Sequence, residues 1–137
     1  MLESGDVFLI RDFRNTGYDP HYQIVVHKTA SNDLVIVYPS TQIEKVKRRC
    51  LRDSRNPSAS DAPVTYVEIP RHVCASLPSL CAVNCDKAFL STELERESGM
   101  DFIKADHKLG DTFLELIRAG IRDSRIVQQI VIDALSR

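Results

Sequence analysis

Residues 21–38 read HYQIVVHKTASNDLVIVY, and this stretch decides the fold class. Its two apolar runs, His21–Lys28 and Leu34–Tyr38, are rich in β-branched and aromatic side chains, which suit a pleated, half-buried sheet. Each run is too short for a free-standing helix. Residues 30–33 between the runs form a tight-turn signal, so the two runs are predicted to pair as an antiparallel hairpin.

Further strands are predicted on both sides of this hairpin. Val7–Ile10 has the same composition, Val64–Ile69 alternates until Pro70 stops it, and Leu80–Leu90 offers a fifth strand. Pro39 is expected to end the regular pairing of the hairpin. Short strands separated by turn signals favour a small barrel or sandwich.

The end of the chain changes its apolar period from that of strands to that of helices. Asp111 is predicted to cap a helix whose apolar residues recur in steps of three and four, and a second helix is predicted from about Ser124. Gly120 either ends the first helix or weakens a longer one. Thr92, three residues before Glu95, is a weak capping-box signal for a short helical turn.

Size and composition predict one domain over residues 1–137, with a barrel at about 5–105 and C-terminal helices at about 111–136. The chain has 137 residues, 43% of them hydrophobic, which is enough to bury a core without disulfides. It has no apolar run of the roughly 18 residues that a membrane span needs, and no basic and apolar leader at its start. We therefore expect no membrane association and a cytoplasmic location.

Four cysteines at irregular spacing, without a Cys-x-x-Cys pair, are expected to be reduced and mostly buried. No zinc site is predicted, because zinc ligands usually come as closely spaced pairs. The net charge of −1 does not indicate a nucleic-acid binder, but the charge is unevenly distributed. Six cations crowd eleven residues against the single anion Asp53: Lys45, Lys47, Arg48, Arg49, Arg52 and Arg55.

This basic segment and the polar residues 55–63 after it are predicted to form an exposed, mobile loop. A basic loop is more often solvated surface than a clamp for phosphate, so both interpretations stay open.

Three segments, in this order, resemble the MazF/PemK family of type II toxins. They are Gly5–Ile10; Tyr38–Lys45 with the later Val67–Ile69; and Val83–Leu94. The resemblance covers most of residues 5 to 120. It implies an SH3-like barrel of about five to six strands with C-terminal helices, hence an α+β, mainly β class. It further implies a homodimer that cuts single-stranded RNA without metal or other cofactor and is neutralised by an antitoxin.

Metal-independent RNA cleavage uses the ribose 2′-OH as nucleophile, so it needs a base, an acid and a cation near the phosphate. The resemblance places His21 where the family has an Arg-Pro pair, Ser40 and Thr41 at a turn hydroxyl, and Asp86 at an acidic position. His21, Asp86 and Ser40 are the catalytic candidates. Each has a plain alternative: a solvent-facing histidine, a turn hydroxyl bonded to its own backbone, and an aspartate that accepts loop amides.

The family's arginines are missing, because this chain has Asn84 before the acidic position and no cation from Ala88 to Leu90. Arg11, Arg48 and Arg49 are the candidates to replace them, since an arginine fork can engage phosphate at two points. The substrate-binding candidates are therefore Thr41, Arg11, Lys45, Arg48 and Arg49.

The sequence leaves three functions open. The first is a MazF/PemK-like endoribonuclease toxin. The second is a non-catalytic barrel that binds nucleic acid or a protein through the basic segment. The third is an assembly protein that docks through the apolar residues 126–132, although these residues would also simply complete the core.

Overall fold

The computed structural model describes residues 1–11, 22–53, 64–77, 79–94 and 101–137, without the side chains of Ile10, Arg11, Arg52, Asp53 and Asp101. Three predictions fall outside these residues: the position of His21, the loop at 55–63, and the Glu95 half of the capping box.

Eight strands in the described part form two antiparallel sheets. The large sheet has the order β7-β3-β2-β1-β8 and the small sheet has the order β4-β6-β5. The predicted α+β, mainly β class is confirmed, and the arrangement is consistent with a small barrel-like fold. The strands are β1 Val7–Arg11, β2 Tyr22–Lys28, β3 Leu34–Val37, β4 Pro39–Ser40, β5 Tyr66–Ile69, β6 Cys81–Asn84, β7 Phe89–Ser91 and β8 Asp101–Lys104.

The predicted β2–β3 hairpin is confirmed. Ile24 lies opposite Val37 and Lys28 opposite Leu34, with a register shift between Val25 and His27. Asn32 in the connecting turn has φ 64°, a left-handed conformation that asparagine tolerates better than most residues.

Among the described residues, three helices with both ends defined accompany the sheets: α1 Ile43–Asp53, α2 Asp111–Asp123 and α3 Gln129–Ala134. The prediction that Asp111 caps α2 is wrong by one position, because Gly110 is the N-cap and Asp111 is the first helical residue. The second C-terminal helix begins later than about Ser124. The Ser124 hydroxyl oxygen accepts the amides of Ile126 and Val127, and this turn separates α2 from α3.

The prediction of a basic loop is wrong where the structure describes it, because residues 43–53 form α1. Val46 and Cys50, four residues apart, are buried against Ala82, with Ile43 and Tyr66 partly buried beside them. This spacing puts the apolar side chains on one helical face, and Lys45, Arg48 and Arg49 project from the remaining faces.

The prediction of one strand over Leu80–Leu90 is also wrong. The segment is β6, then a 3-10 turn at Cys85–Lys87, then β7 in the other sheet. The Asn84 side-chain oxygen accepts the amide of Asp86 at 3.0 Å and so caps the turn.

Two strands were not predicted. Pro39 ends the pairing of β3 in the large sheet, as expected, but it also begins β4, which pairs with β6. A proline is tolerated at the first residue of a strand, where its missing N–H is least costly. The second, β8, pairs with β1 along residues 101–104.

The small sheet separates the main core from α1. Alternate residues of β5 and β6, including Ile69, Cys81 and Val83, face the main core with the apolar sides of α2 and α3, whereas Ala82 faces α1. The outer face of the small sheet is therefore where α1 lies. Within the described ranges no helix has the length and apolar character to cross a membrane.

Candidate functional site

An open groove of about 700 Å³ runs between the start of α1 and the small sheet, and we call it the α1 groove. It brings together three of the predicted substrate-binding residues, Thr41, Lys45 and Arg48. The described residues that line it are Thr41, Gln42, Ile43, Glu44, Lys45, Lys47, Arg48, Glu68 and Leu80.

The helix α1 presents its cations to solvent beside this groove. Lys45, Arg48 and Arg49 are exposed, and their spacing of three and four residues places them on neighbouring positions of the helical surface. Arg49 does not line the groove itself. Lysine supplies a mobile point charge and arginine a planar fork, and both engage phosphate oxygens.

Ser40 lies just before α1, and its hydroxyl bonds the neighbouring backbone in a turn, as the non-catalytic interpretation of this residue expects. Its hydroxyl oxygen accepts the amide of Gln42 at 3.1 Å. A serine hydroxyl that accepts one bond still has its own proton to donate, so Ser40 keeps one donor for a ligand. Thr41, next in the chain, is exposed.

An ion pair in the α1 groove was missed by sequence reasoning. Lys47 Nζ lies 2.5 Å from Glu68 Oε1 and 3.9 Å from Glu44 Oε1, and it sits 5.7 Å from the centre of the Tyr66 ring. The hydrogen bond with Glu68 is the largest cause that raises the pKa of Lys47. The alternation of residues 64–69 was the signal for an outward Glu68, but its partner becomes evident only when residues 43–53 are a helix.

Strand register places Ser40 and Glu68 in one cross-strand row. Both lie opposite Ala82, Ser40 from β4 and Glu68 from β5. Directly opposite residues project to the same face of a sheet, here the face that α1 covers. Two strand spacings separate their backbones by about 10 Å.

Asp86 lies elsewhere, in a cavity of about 490 Å³ between β7 and α3. The Thr65 hydroxyl donates to its Oδ2 at 2.9 Å and the Ser124 hydroxyl donates to its Oδ1 at 2.6 Å. The carboxylate is 7% exposed. These contacts join the 3-10 turn to the start of β5 and to the turn after α2, which favours a structural role for Asp86.

Asn84, which the sequence resemblance sets at the position of an arginine in one branch of the MazF/PemK family, belongs to the same buried network. Its side-chain oxygen accepts the Cys50 thiol at 3.2 Å as well as the Asp86 amide. Cys85 beside it is buried, and burial is the first cause that raises its pKa to about 12. A thiol with so high a pKa stays protonated and is no nucleophile at neutral pH.

The remaining candidates are only partly placed. His21 lies outside the described residues, but its neighbour Tyr22 begins β2, and β2 contacts β4. Ile24 of β2 lies opposite Val37 at the end of β3, so the start of β2 runs towards β4. Arg11 is the last residue of β1 and pairs with Asp101 of β8 in the large sheet. The small sheet, not the large one, carries the α1 groove.

Comparison with known proteins adds a structural neighbour and no family. No family model matches the chain, and no curated protein matches it. One similar solved structure is an endoribonuclease in complex with its cognate antitoxin from mycobacterial species. It shares 16% identity, covers 89% of this chain and 92% of the other, and has a TM-score of 0.49. A similarity this remote carries no argument about function, so the fold and groove define only an α+β, mainly β protein with a cationic surface helix.

Proposed function

We propose that this protein is a MazF/PemK-like endoribonuclease and that the α1 groove receives the backbone of single-stranded RNA. The observation that carries the proposal is the meeting of Thr41, Lys45 and Arg48 in one groove. The reaction class comes from the resemblance of three sequence segments to the MazF/PemK family, the second of which supplies Ser40, Thr41 and Glu68 to this region.

The proposed chemistry is attack of the ribose 2′-oxygen on the adjacent phosphorus, which yields a 2′,3′-cyclic phosphate and a 5′-hydroxyl. Lys45 and Arg48 offset the charge that develops on the phosphorane, and the Thr41 hydroxyl donates to a phosphate oxygen. His21 is the proposed acid for the departing 5′-oxygen, since imidazole exchanges protons near neutral pH.

An RNA cleavage assay in EDTA tests the proposal. The purified chain should cut single-stranded RNA without added metal and leave 2′,3′-cyclic phosphate ends, and His21→Ala should lose that activity. RNA that stays intact with the folded protein contradicts the proposal, and 3′-hydroxyl ends contradict the mechanism.

Asp86→Asn decides whether Asp86 belongs to the chemistry. Because both carboxylate oxygens accept buried hydroxyls, Asp86→Ala should destabilise the fold by about 1–3 kcal/mol for each hydroxyl left without a partner. The isosteric Asp86→Asn should fold and still cleave RNA. Loss of cleavage in Asp86→Asn with an unchanged melting temperature would make Asp86 catalytic after all.

A second candidate function, a nucleic-acid-binding protein without activity, is favoured by the buried contacts of Asn84 and Asp86. It predicts RNA binding at the same groove with no cleavage at any pH. A homodimer and an antitoxin partner, and a cytoplasmic location with them, remain proposals from the family resemblance. Light scattering on the purified chain measures the first of these directly.

A further inference from the structure

We infer that Glu68 is the general base that activates the ribose 2′-hydroxyl in the α1 groove. This inference rests on the proposed function and adds a catalytic group to it. A base must be a proton acceptor that reaches the scissile nucleotide. The acidic residue that the sequence indicated, Asp86, lines a different cavity.

Glu68 meets the geometric requirement. It lines the groove together with Thr41 and Arg48, and its side chain is 40% exposed, so it is open to a ligand. It shares a cross-strand row with Ser40, about 10 Å away across the outer face of the small sheet. A nucleotide held between hydroxyl and carboxylate would present its sugar to one and its phosphate to the other.

Lys47 holds the carboxylate in place. Its ammonium lies 2.5 Å from Glu68 Oε1, which leaves Oε2 as the oxygen for the substrate proton. Lys47 itself is anchored by α1, whose Val46 and Cys50 are buried against the sheet. A carboxylate fixed between a strand and a packed helix is better oriented than one on a free loop.

Among the described residues of the lining, Glu44 is the one other carboxylate, and it suits the role less well. Its side chain is 83% exposed and lies 3.9 Å from Lys47, so it lacks the short bond that orients Glu68. Glu44 is also in the first turn of α1, where a negative charge stabilises the helix end. It therefore serves as the matched control.

The proposed cleavage step balances in protons and electrons. Glu68 takes the proton from the 2′-hydroxyl as the 2′-oxygen bonds to phosphorus. The bond from phosphorus to the 5′-oxygen breaks, its electron pair stays on that oxygen, and the acid of the proposed function protonates it. Solvent then carries the proton from Glu68 back to the acid, so no further reactant is needed.

The test compares Glu68→Gln, Glu44→Gln and Lys47→Met with the native chain on single-stranded RNA in EDTA. Glu68→Gln should lower kcat by about 10²–10⁴-fold, the usual contribution of a general base, and flatten the acid limb of the pH–rate profile. Its affinity for a 2′-deoxy oligonucleotide of the same sequence should be unchanged or tighter, because a negative charge is removed. Glu44→Gln should change kcat far less than Glu68→Gln does.

Lys47→Met separates a catalytic role of the Glu68 carboxylate from a role of the ion pair in tethering α1 to β5. It breaks the same ion pair but leaves the carboxylate. It should lower kcat less than Glu68→Gln does. Equal kcat in Glu68→Gln and Glu44→Gln overturns the inference and leaves the proposed function standing. Equal losses in Glu68→Gln and Lys47→Met also overturn it, since the ion pair would then act only as a tether. A native chain that leaves RNA intact overturns the proposed function and this inference together.

Discussion

Gly120 sits where α2 comes closest to the 3-10 turn. A Cβ atom at this position would lie 2.7 Å from the sulfur of Cys85 and 3.2 Å from its Cβ. Real Cβ atoms do not approach other atoms that closely, so glycine is required here for space. The sequence allowed Gly120 to end a helix or to weaken one; the structure has it inside α2, which continues to Asp123.

Gly120→Ala should therefore destabilise the protein, although alanine is the better helix former. Overpacking costs about 1–3 kcal/mol, against about 1 kcal/mol gained in helix propensity. Urea unfolding measures the difference. Gly110→Ala serves as a comparison, because a Cβ at Gly110 would meet no atom within 4 Å and only the N-cap preference for glycine over alanine is lost. If the space argument holds, adding Cys85→Ala should recover part of the loss in Gly120→Ala but none of the loss in Gly110→Ala, and a Gly120→Ala variant as stable as the native chain would refute it.

The site residues differ in whether their positions depend on neighbours in sequence or on residues distant in sequence. Thr41 and Lys45 follow one another in the chain around a turn, so their shared groove could be anticipated from their short separation in sequence. The distance between Asp86 and that groove could not, because it depends on the 3-10 turn that takes the chain from the small sheet to the large one. The bond between Lys47 and Glu68 joins residues 21 apart in sequence, and only the packed helix brings them together.

At the scale of the element, α1 is the part whose structure differs most from expectation. Its charged residues masked a weak apolar pattern, since Val46 and Cys50 alone are buried among the described side chains of the helix. The small sheet stabilises the helix, because Ala82 packs against the buried residues of α1. Tertiary packing often decides helix formation in this way where intrinsic propensity does not.

The cations of α1 should dominate the salt dependence of RNA binding. Replacing Lys45, Arg48 and Arg49 with glutamine should weaken binding to single-stranded RNA. The slope of log affinity against log salt should fall by about 2, at about 0.7 per lost phosphate contact. Fluorescence anisotropy at several salt concentrations gives both quantities.

A control with the same charge change replaces Arg122, Arg125 and Arg137, which are exposed outside the α1 groove. It should alter affinity and slope much less. Equal effects of the two triple variants would mean that binding follows net charge and not the α1 surface.

At the scale of the whole molecule, the large sheet packs against α2 beside a half-buried histidine on β2. His27 on β2 is half-buried, and its Nε2 is buried without a hydrogen-bond partner in the described part of the chain. Burial lowers the pKa of His27 from 6.5, and the charges of Arg118 and Arg122 on α2 lower it further. Arg118 is held beside it by the carbonyl of Val26, which accepts its Nε at 3.0 Å.

Stability should consequently fall on the acid side of neutrality. In the unfolded chain His27 binds a proton as pH drops through about 6.5, while in the folded chain it stays neutral, so protons favour unfolding. The contribution is fully present above that pH and is lost as pH falls towards the lowered pKa. His27→Gln should flatten this part of the curve of unfolding free energy against pH, whereas His107→Gln, at an exposed site, should not. Parallel curves for native and His27→Gln would contradict this account.

Strands could be predicted from the sequence where both of their faces are buried, because nearly all of their residues are then apolar. Residues 22–28 and 34–37 belong to this class, since the large sheet packs the main core on one face and a second cluster with Phe8 and Val25 on the other. The two-residue β4 carries too few side chains for any period to show, and β8 has one apolar pair, Phe102 and Ile103, between charged residues. Their formation depends on the neighbouring strands that accept them, which are distant in sequence.

The accessibility of the Cys50 thiol measures how firmly α1 packs against the small sheet. Cys50 is 3% exposed beneath the helix and donates to Asn84, so a thiol-modifying reagent can reach it only when the helix lifts from the sheet. Its rate of modification then reports how often α1 lifts from the small sheet, in a chain that needs no added label. A strand of RNA lying across α1 would slow that rate, and it would do so whether or not it is ever cut.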